Sequence, residues 1–141
     1  MNFHLVLDDW AALQADAKAI RHEVFIIEQN IPLELEWDEI NEVCVHAVAY
    51  DEKGQPVGTG RLLPDGHIGR MAVSKAMRGA GVGGAILEAL MQHAKQRGDD
   101  AVMLSAQVHA ERFYQRYGFV RDGDEFMEAG IPHIHMRYIL R

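Results

Sequence analysis

The chain contains a single cysteine, Cys44, among its 141 residues. One thiol rules out an internal disulfide and a cysteine-rich zinc site. Set in the apolar run Val43-Cys44-Val45 with no positioned base in sight, it reads as a small buried hydrophobe rather than a nucleophile. Positive charge is scarce as well: 14 Lys and Arg stand against 21 Asp and Glu, a net charge of −7. That deficit argues against nucleic acid as a partner, because phosphate backbones need clustered cations. It leaves room for a local pocket that takes an anion. No apolar run approaches the roughly 20 residues of a membrane-spanning helix, and Met1 to Trp10 lacks the basic start and apolar stretch of a secretion signal. No membrane partner and a cytoplasmic location are therefore expected. Repeats, low-complexity segments and linkers are also missing, so one domain over residues 1–141 is expected.

What is present is patterned. Phe3 to Leu7 alternates as a first strand, Asp8 and Asp9 offer a helix cap, and Leu13, Ala17, Ile20, Val24 and Ile27 recur at helical spacing. One or two helices from about Asp9 to Gln29 follow, ended by Asn30 and Pro32. Residues 31–42 form an acidic loop around Trp37, which is expected to pin that loop to the core. Val43–Tyr50, Pro56–Leu63 and His67–Val73 read as three strands joined by short turns, hence an antiparallel meander. From Ala85, the positions Ile86, Leu87, Leu90, Met91 and Ala94 mark an amphipathic helix that ends near Gly98. Ala101–Ala106 reads as a strand, His109–Tyr117 as a helix stopped by Gly118, and Phe119–Arg121 and Ile131–Leu140 as closing strands. The order is β-α-βββ-α-β-α-ββ, an α/β fold with a mixed sheet, because a helix between the third meander strand and Ala101–Ala106 implies a parallel crossover.

The densest chemistry lies at Arg78-Gly79-Ala80-Gly81-Val82-Gly83-Gly84, between a strand ending Met71-Ala72-Val73 and a helix. Glycines permit positive φ and close approach of a ligand to the backbone. The helix start presents unpaired N–H groups and a positive dipole end, suited to a diphosphate. Arg78 can add a charge-assisted hydrogen bond. No Gly-Lys-Ser/Thr occurs, which excludes a nucleoside-triphosphate loop of that type. A dinucleotide fold would carry its glycines after the first strand.

The spacing Arg78-x-x-Gly81-x-Gly83, the preceding strand, and Ala110-x-x-Phe113-Tyr114 followed by Gly118-Phe119 together resemble the GNAT N-acetyltransferase superfamily. Arg21 to Gln29 with Pro32, Glu36 and Asp38, the run Gly58 to Leu62, and Glu128 to His133 resemble its ElaA/YjcF-like branch. The resemblance implies a three-layer fold whose central parallel strands, here His67–Val73 and Ala101–Ala106, splay apart to admit acetyl-CoA. It implies that Met71, Ala72 and Val73 pair with the pantetheine arm. A backbone N–H near Met71 or Ala72 would hold the oxyanion. Residues 78–84 with Ala110 and Phe113 would complete the cofactor site. Gln107 stands where many members carry Asn. Tyr114 would be the general acid toward the CoA thiolate. The acceptor would be an amine of a small molecule or of a protein, and many members are homodimers.

The base stays open among Glu28, His46 and a water-mediated path. Arg70, read as sharing a strand face with Ile68 and Ala72, is either a substrate contact or an ion-pair partner of the acidic loop. His133 is a candidate substrate contact. His133-Ile134-His135 puts two imidazoles on one face beside Arg137, and that cation opposes a metal there, so none is expected. Two other readings remain: a CoA-binding sensor without turnover, and an acyl-homoserine-lactone-synthase-like enzyme, against which the acidic balance counts.

Overall fold

The computed structural model describes residues 2–36 and 38–140, so the expectation for Trp37 lies outside the described residues. The chain runs β1 (Phe3–Asp8), α1 (Trp10–Arg21) and a wider π-helical continuation (His22–Glu28). It continues with α2 (Leu33–Glu36), a 3-10 turn (Glu39–Val43), β2 (Val45–Asp51), β3 (Pro56–Leu62) and β4 (Ile68–Val73). After a 3-10 turn (Lys75–Met77) come α3 (Val82–Arg97), β5 (Ala101–Gln107), a 3-10 turn (Val108–Ala110), α4 (Glu111–Arg116), β6 (Val120–Arg121), β7 (Phe126–Glu128) and β8 (Ile131–Ile139).

Local chemistry explains the boundaries. Asp9 caps α1, its Oδ1 accepting from Ala12 N at 2.9 Å. Leu13 and Ala17 then bury against Val48 of β2. In the π-helical stretch the hydrogen bonds lengthen by one residue, as in Gln29 N to Val24 O at 3.0 Å, and Asn30 stops the helix at φ 56°. Along α3, Ile86, Leu87, Leu90 and Ala94 are fully buried. Each of the larger three contributes about 1.5–3 kcal/mol of apolar burial.

Strands β1-β2-β3-β4 form one antiparallel sheet, and β5-β8-β6 with β7 on β8 form another. Parallel β4 and β5 belong to different sheets. They meet at one bridge, His67 opposite Met103, reinforced by Met103 N donating to Gly66 O at 3.1 Å. Beyond that bridge they splay, as the resemblance implied, and the opening holds the cleft described below.

Four expectations need correction. The helix expected from Ala85 begins at Val82, so the glycines at 83 and 84 form its first turn. Strand β2 begins at Val45, because Val43 still belongs to the 3-10 turn. A third closing strand, β7, pairs with β8 through a turn in which Ala129 (φ 52°) and Gly130 (φ 75°) are both left-handed, the geometry of a tight hairpin. Finally, Arg70 does not share a regular face with Ile68 and Ala72. It sits at φ 49° in a bulge where the β3–β4 register shifts. The extra residue reverses the alternation. Ile68 joins the core under α3, whereas Ala72 packs on Ile20, Val24 and Phe25.

Candidate active site

The free edge of β4 forms one wall of the opening. Ser74 N donates to Val57 O of β3 at 2.9 Å. Strand alternation therefore turns the main-chain groups of Val73 and Met71 outward. Val73 O accepts from Arg78 Nε at 3.1 Å. Past Arg78 the loop bends at Gly79 (φ 84°) and Gly81 (φ 87°), where a Cβ would meet open space. Their glycine requirement is thus conformational. No side chain caps α3, and Ala85 N, bonded to Gly81 O at 3.1 Å, is the first amide to enter its ladder. The N–H groups of Val82, Gly83 and Gly84 are the orphan donors of that helix start. Gly84 has a different reason: a Cβ there would stand 1.8 Å from Tyr117 Oη. At Gly83 the Phe113 ring lies 3.5 Å from the same imagined atom.

Two contacts tie the end of the π-helical segment to both walls. Glu28 accepts from Arg78 Nη1 and Nη2, both at 2.7 Å. These hydrogen bonds hold the Glu28 carboxyl below its ordinary range and push the Arg78 guanidinium up. Neighbouring Gln29 accepts from Gln107 Nε2 of β5 at 2.9 Å. Sequence reasoning put Glu28 beside the substrate; the structure ties it to the loop arginine.

Between β4 and β5 lies a cleft of about 480 Å³, bordered by Met71, Gln107, Ala110 and Tyr114. Tyr114 packs edge-on to Phe113 at 5.0 Å and to Phe119 at 6.0 Å. Its hydroxyl makes no hydrogen bond among the described residues, and burial pushes its pKa up to about 12. It therefore stays a neutral phenol at any working pH.

The other end of the cleft is a charged network. Buried Arg21 pairs with Glu36, and its Nη1 donates to Asn41 Oδ1 at 2.9 Å. Arg61 donates to the same Asn41 oxygen at 2.8 Å and forks onto Asp38 at 2.8 and 2.9 Å. Arg70 Nη2 reaches Asp38 Oδ2 at 3.1 Å and Glu36 O at 3.3 Å. Arg70 therefore takes the ion-pair role while also bordering the cleft. Burial works to raise the Asp38 carboxyl, but the hydrogen bonds and charges of the arginines hold it below its usual range. Desolvation lowers Arg21 and Arg70.

His133 also borders the cleft, with Nδ1 2.7 Å from Ile131 O and Nε2 3.6 Å from Glu128 Oε2. His46 does not. It is buried under Trp10, ring centroids 4.7 Å apart, and its Nε2 donates to Asn41 O at 2.8 Å. Burial pushes its pKa down. Cys44 is buried, as expected, and burial raises its thiol pKa. Among the described residues no group of three His, Cys, Asp or Glu side chains could hold a metal ion, and no helix is long and apolar enough to cross a membrane.

Of the residues singled out in the sequence, Arg70, Met71, Gln107, Ala110, Tyr114 and His133 border the cleft; Arg61 and Glu128 border it as well, and Asn41 bonds Arg61 behind it, without having been singled out as candidates. The available signal was membership of a matched stretch, which Arg61 and Glu128 both have, while Asn41 carries no local pattern that marks a site.

Comparison with known proteins agrees with this geometry. Residues 13–140 match the acetyltransferase (GNAT) domain family. The uncharacterized N-acetyltransferase YjcF of Bacillus subtilis is 44% identical over 125 residues, which is 86% of this chain and 89% of YjcF. An acyl-CoA N-acyltransferase from Pseudomonas aeruginosa superposes with a TM-score of 0.86 at 35% identity, covering 96% of this chain and 99% of that one. Escherichia coli ElaA superposes with a TM-score of 0.86 at 26% identity, with the same coverage. With the splayed strands, the glycine loop and these relatives in agreement, the chain belongs to the GNAT acetyltransferase family, alongside YjcF and ElaA.

Proposed function

We propose that this protein transfers an acetyl group from acetyl-CoA directly to a primary amine of a small molecule or an exposed protein amine. The observation that carries the reading is that Met71 and Tyr114 border one cleft, with the outward edge of β4 leading from Met71 to Val73 and on to an uncapped helix start at Val82–Gly84. The residues fit a CoA diphosphate: the loop amides are free of side-chain caps, and space is open at Gly79 and Gly81. Arg78 is within reach once it leaves Glu28. The outward edge of β4 would pair with the pantetheine arm as an added strand, with Ala72 as the packed residue between.

Of the two amides expected to hold the oxyanion, alternation favours Met71, because Ala72 is paired with Thr59 of β3. Tyr114, a phenol that keeps its proton, would supply it to the departing thiolate. Phe113 and Ala110 would pack beside the cofactor. Gln107 would reach it only by releasing Gln29. Acetyl-CoA calorimetry alongside a thiol-release assay over a set of amines tests this. Binding with amine-dependent release of thiol is expected; binding without turnover would favour the sensor reading. Tyr114→Phe should lower kcat by roughly 10²-fold, with acetyl-CoA affinity preserved. Wild-type kcat in that variant would remove Tyr114 from its role.

A further inference from the structure

The amine must lose a proton, and the titratable groups in and around the cleft are not equally free to take it. Glu28 is occupied twice over by Arg78, and His46 is buried beneath Trp10 with its Nε2 donating to Asn41 O. Glu36 and Asp38 are held by Arg21, Arg61 and Arg70. His133 differs. Its Nδ1 lies 2.7 Å from Ile131 O. A carbonyl oxygen has no proton to give, so Nδ1 carries the hydrogen, and the neutral ring keeps its lone pair on Nε2. The ring plane is fixed by Phe126, stacked at 5.8 Å and 29°. Nε2 is 3.6 Å from Glu128 Oε2, and both residues border the cleft that Tyr114 borders. The β7–β8 hairpin brings the two together, with Glu128 opposite Ile131 and Phe126 opposite His133.

We propose that His133 Nε2 is the general base of the acyl transfer and that Glu128 draws the acceptor's ammonium to it. This rests on the acyltransferase reading above and narrows its substrate class to primary alkylamines that arrive protonated. An alkylammonium titrates near ~10 and needs a base at neutral pH. His133 Nε2 takes one proton from the ammonium. The freed nitrogen lone pair forms the C–N bond to the thioester carbonyl carbon, and the C–S bond breaks with its electrons going to sulfur. Tyr114 gives its proton to that sulfur and regains one from the still-protonated amide nitrogen. His133 returns its proton to solvent. The products are an N-acyl amine, a CoA thiol and one released proton. The charged and titratable groups around the same space are Glu128 of β7, Arg61 of β3, Arg70 of β4, His67 before it, Glu36 of α2 and Tyr114 of α4.

Thiol release by the wild type is measured first, across primary amines and pH. Failure of every amine would overturn the acyltransferase reading and this inference with it. With an amine in hand, His133→Asn keeps an N–H for Ile131 O but removes the acceptor nitrogen. The expected result is a loss of roughly 10²- to 10⁴-fold in kcat/KM. The acid limb of the pH profile should disappear, added imidazole should restore part of the rate, and the acetyl-CoA Kd should stay unchanged. Glu128→Gln should raise KM for the amine while sparing kcat. A surviving acid limb in His133→Asn, or a loss confined to KM, would overturn the base assignment and leave the acyltransferase reading standing. Histidine ¹H–¹⁵N correlation spectra of the wild type give a readout independent of turnover and of how the variants fold. A proton on Nδ1 of His133 supports the proposal, and one on Nε2 overturns it.

Discussion

At one end the cleft is bordered by Met71, from which the outward main-chain edge of β4 leads to the uncapped start of α3 at Val82–Gly84. At the other end the cleft is bordered by side chains, Glu36 of α2, Arg61 of β3, Arg70 of β4 and His133 of β8, backed by buried Arg21 of α1 and Asn41 of the 3-10 turn. Backbone groups are fixed once the strand, turn and helix form. A side-chain cluster has to be assembled from distant segments, each of which must be packed and paired before it costs less than it gains. The first construction tolerates change in side-chain identity except at its glycines. The second should be sensitive at nearly every member.

The sharpest way to break that contrast is Glu36→Ala. Arg21 is almost fully buried, and Glu36 is its carboxylate partner. Removing one partner of a buried pair leaves an uncompensated charge, with an expected loss of about 3–5 kcal/mol in urea denaturation. Replacing both, Arg21→Met with Glu36→Leu, should recover most of that loss, because the desolvation cost disappears with the charges. A single-variant loss under about 1 kcal/mol would place the pair in the class of surface bridges and end the distinction drawn between the two ends.

The same contrast decides what could be read in advance. Asp9 as a cap, the apolar spacing along α3 and the glycine loop were legible because each depends on residues within a few positions of one another. The Arg70 bulge was not. Its left-handed φ is imposed by the β3 pairing on either side, and arginine gives no local hint of it. Strand β7 escaped for a related reason: its hairpin turn is Ala129-Gly130, whereas the usual sign of two left-handed residues is Asn or Asp before Gly. With β7 unseen, nothing showed that Glu128 and His133, though ends of one matched stretch, approach each other across a hairpin. The start of α3 was placed late because glycines disfavour helix. Here Gly84 is required by the approach of Tyr117, a contact some thirty positions along the chain.

Gly81→Ala sharpens the comparison from the backbone side, with a smaller effect. At φ 87° alanine is strained, yet a Cβ there meets nothing within 4 Å. The expected cost is therefore conformational only, about 1–2 kcal/mol. If the loop relaxes to relieve it, the amides lose their alignment and the acetyl-CoA Kd should rise roughly tenfold, the equivalent of 1.4 kcal/mol. Calorimetry and denaturation on the same variant separate the two. Lost stability with an unchanged Kd would move the diphosphate away from this loop.

The smallest effect is expected where a side-chain ion pair intrudes on the backbone-built end. Glu28 and Arg78 are both well exposed and joined by two hydrogen bonds of 2.7 Å. Glu28→Gln frees the guanidinium for a diphosphate, so the acetyl-CoA Kd should tighten by roughly two- to fivefold, the worth of an exposed bridge. The gain should fade as salt rises, because exposed charges are screened. Because Arg78 lowers the folded-state pKa of Glu28, the pair's stabilisation is present above the unfolded carboxylate range and is lost as pH falls through the lowered value. The competitor for Arg78 therefore weakens in acid, and the advantage of Glu28→Gln over wild type should shrink there. Turnover supplies the last discrimination. If Glu28 only occupies Arg78, kcat in Glu28→Gln stays at the wild-type level; a base would lose about 10²-fold or more, which would return Glu28 to the reacting centre and displace His133 from it.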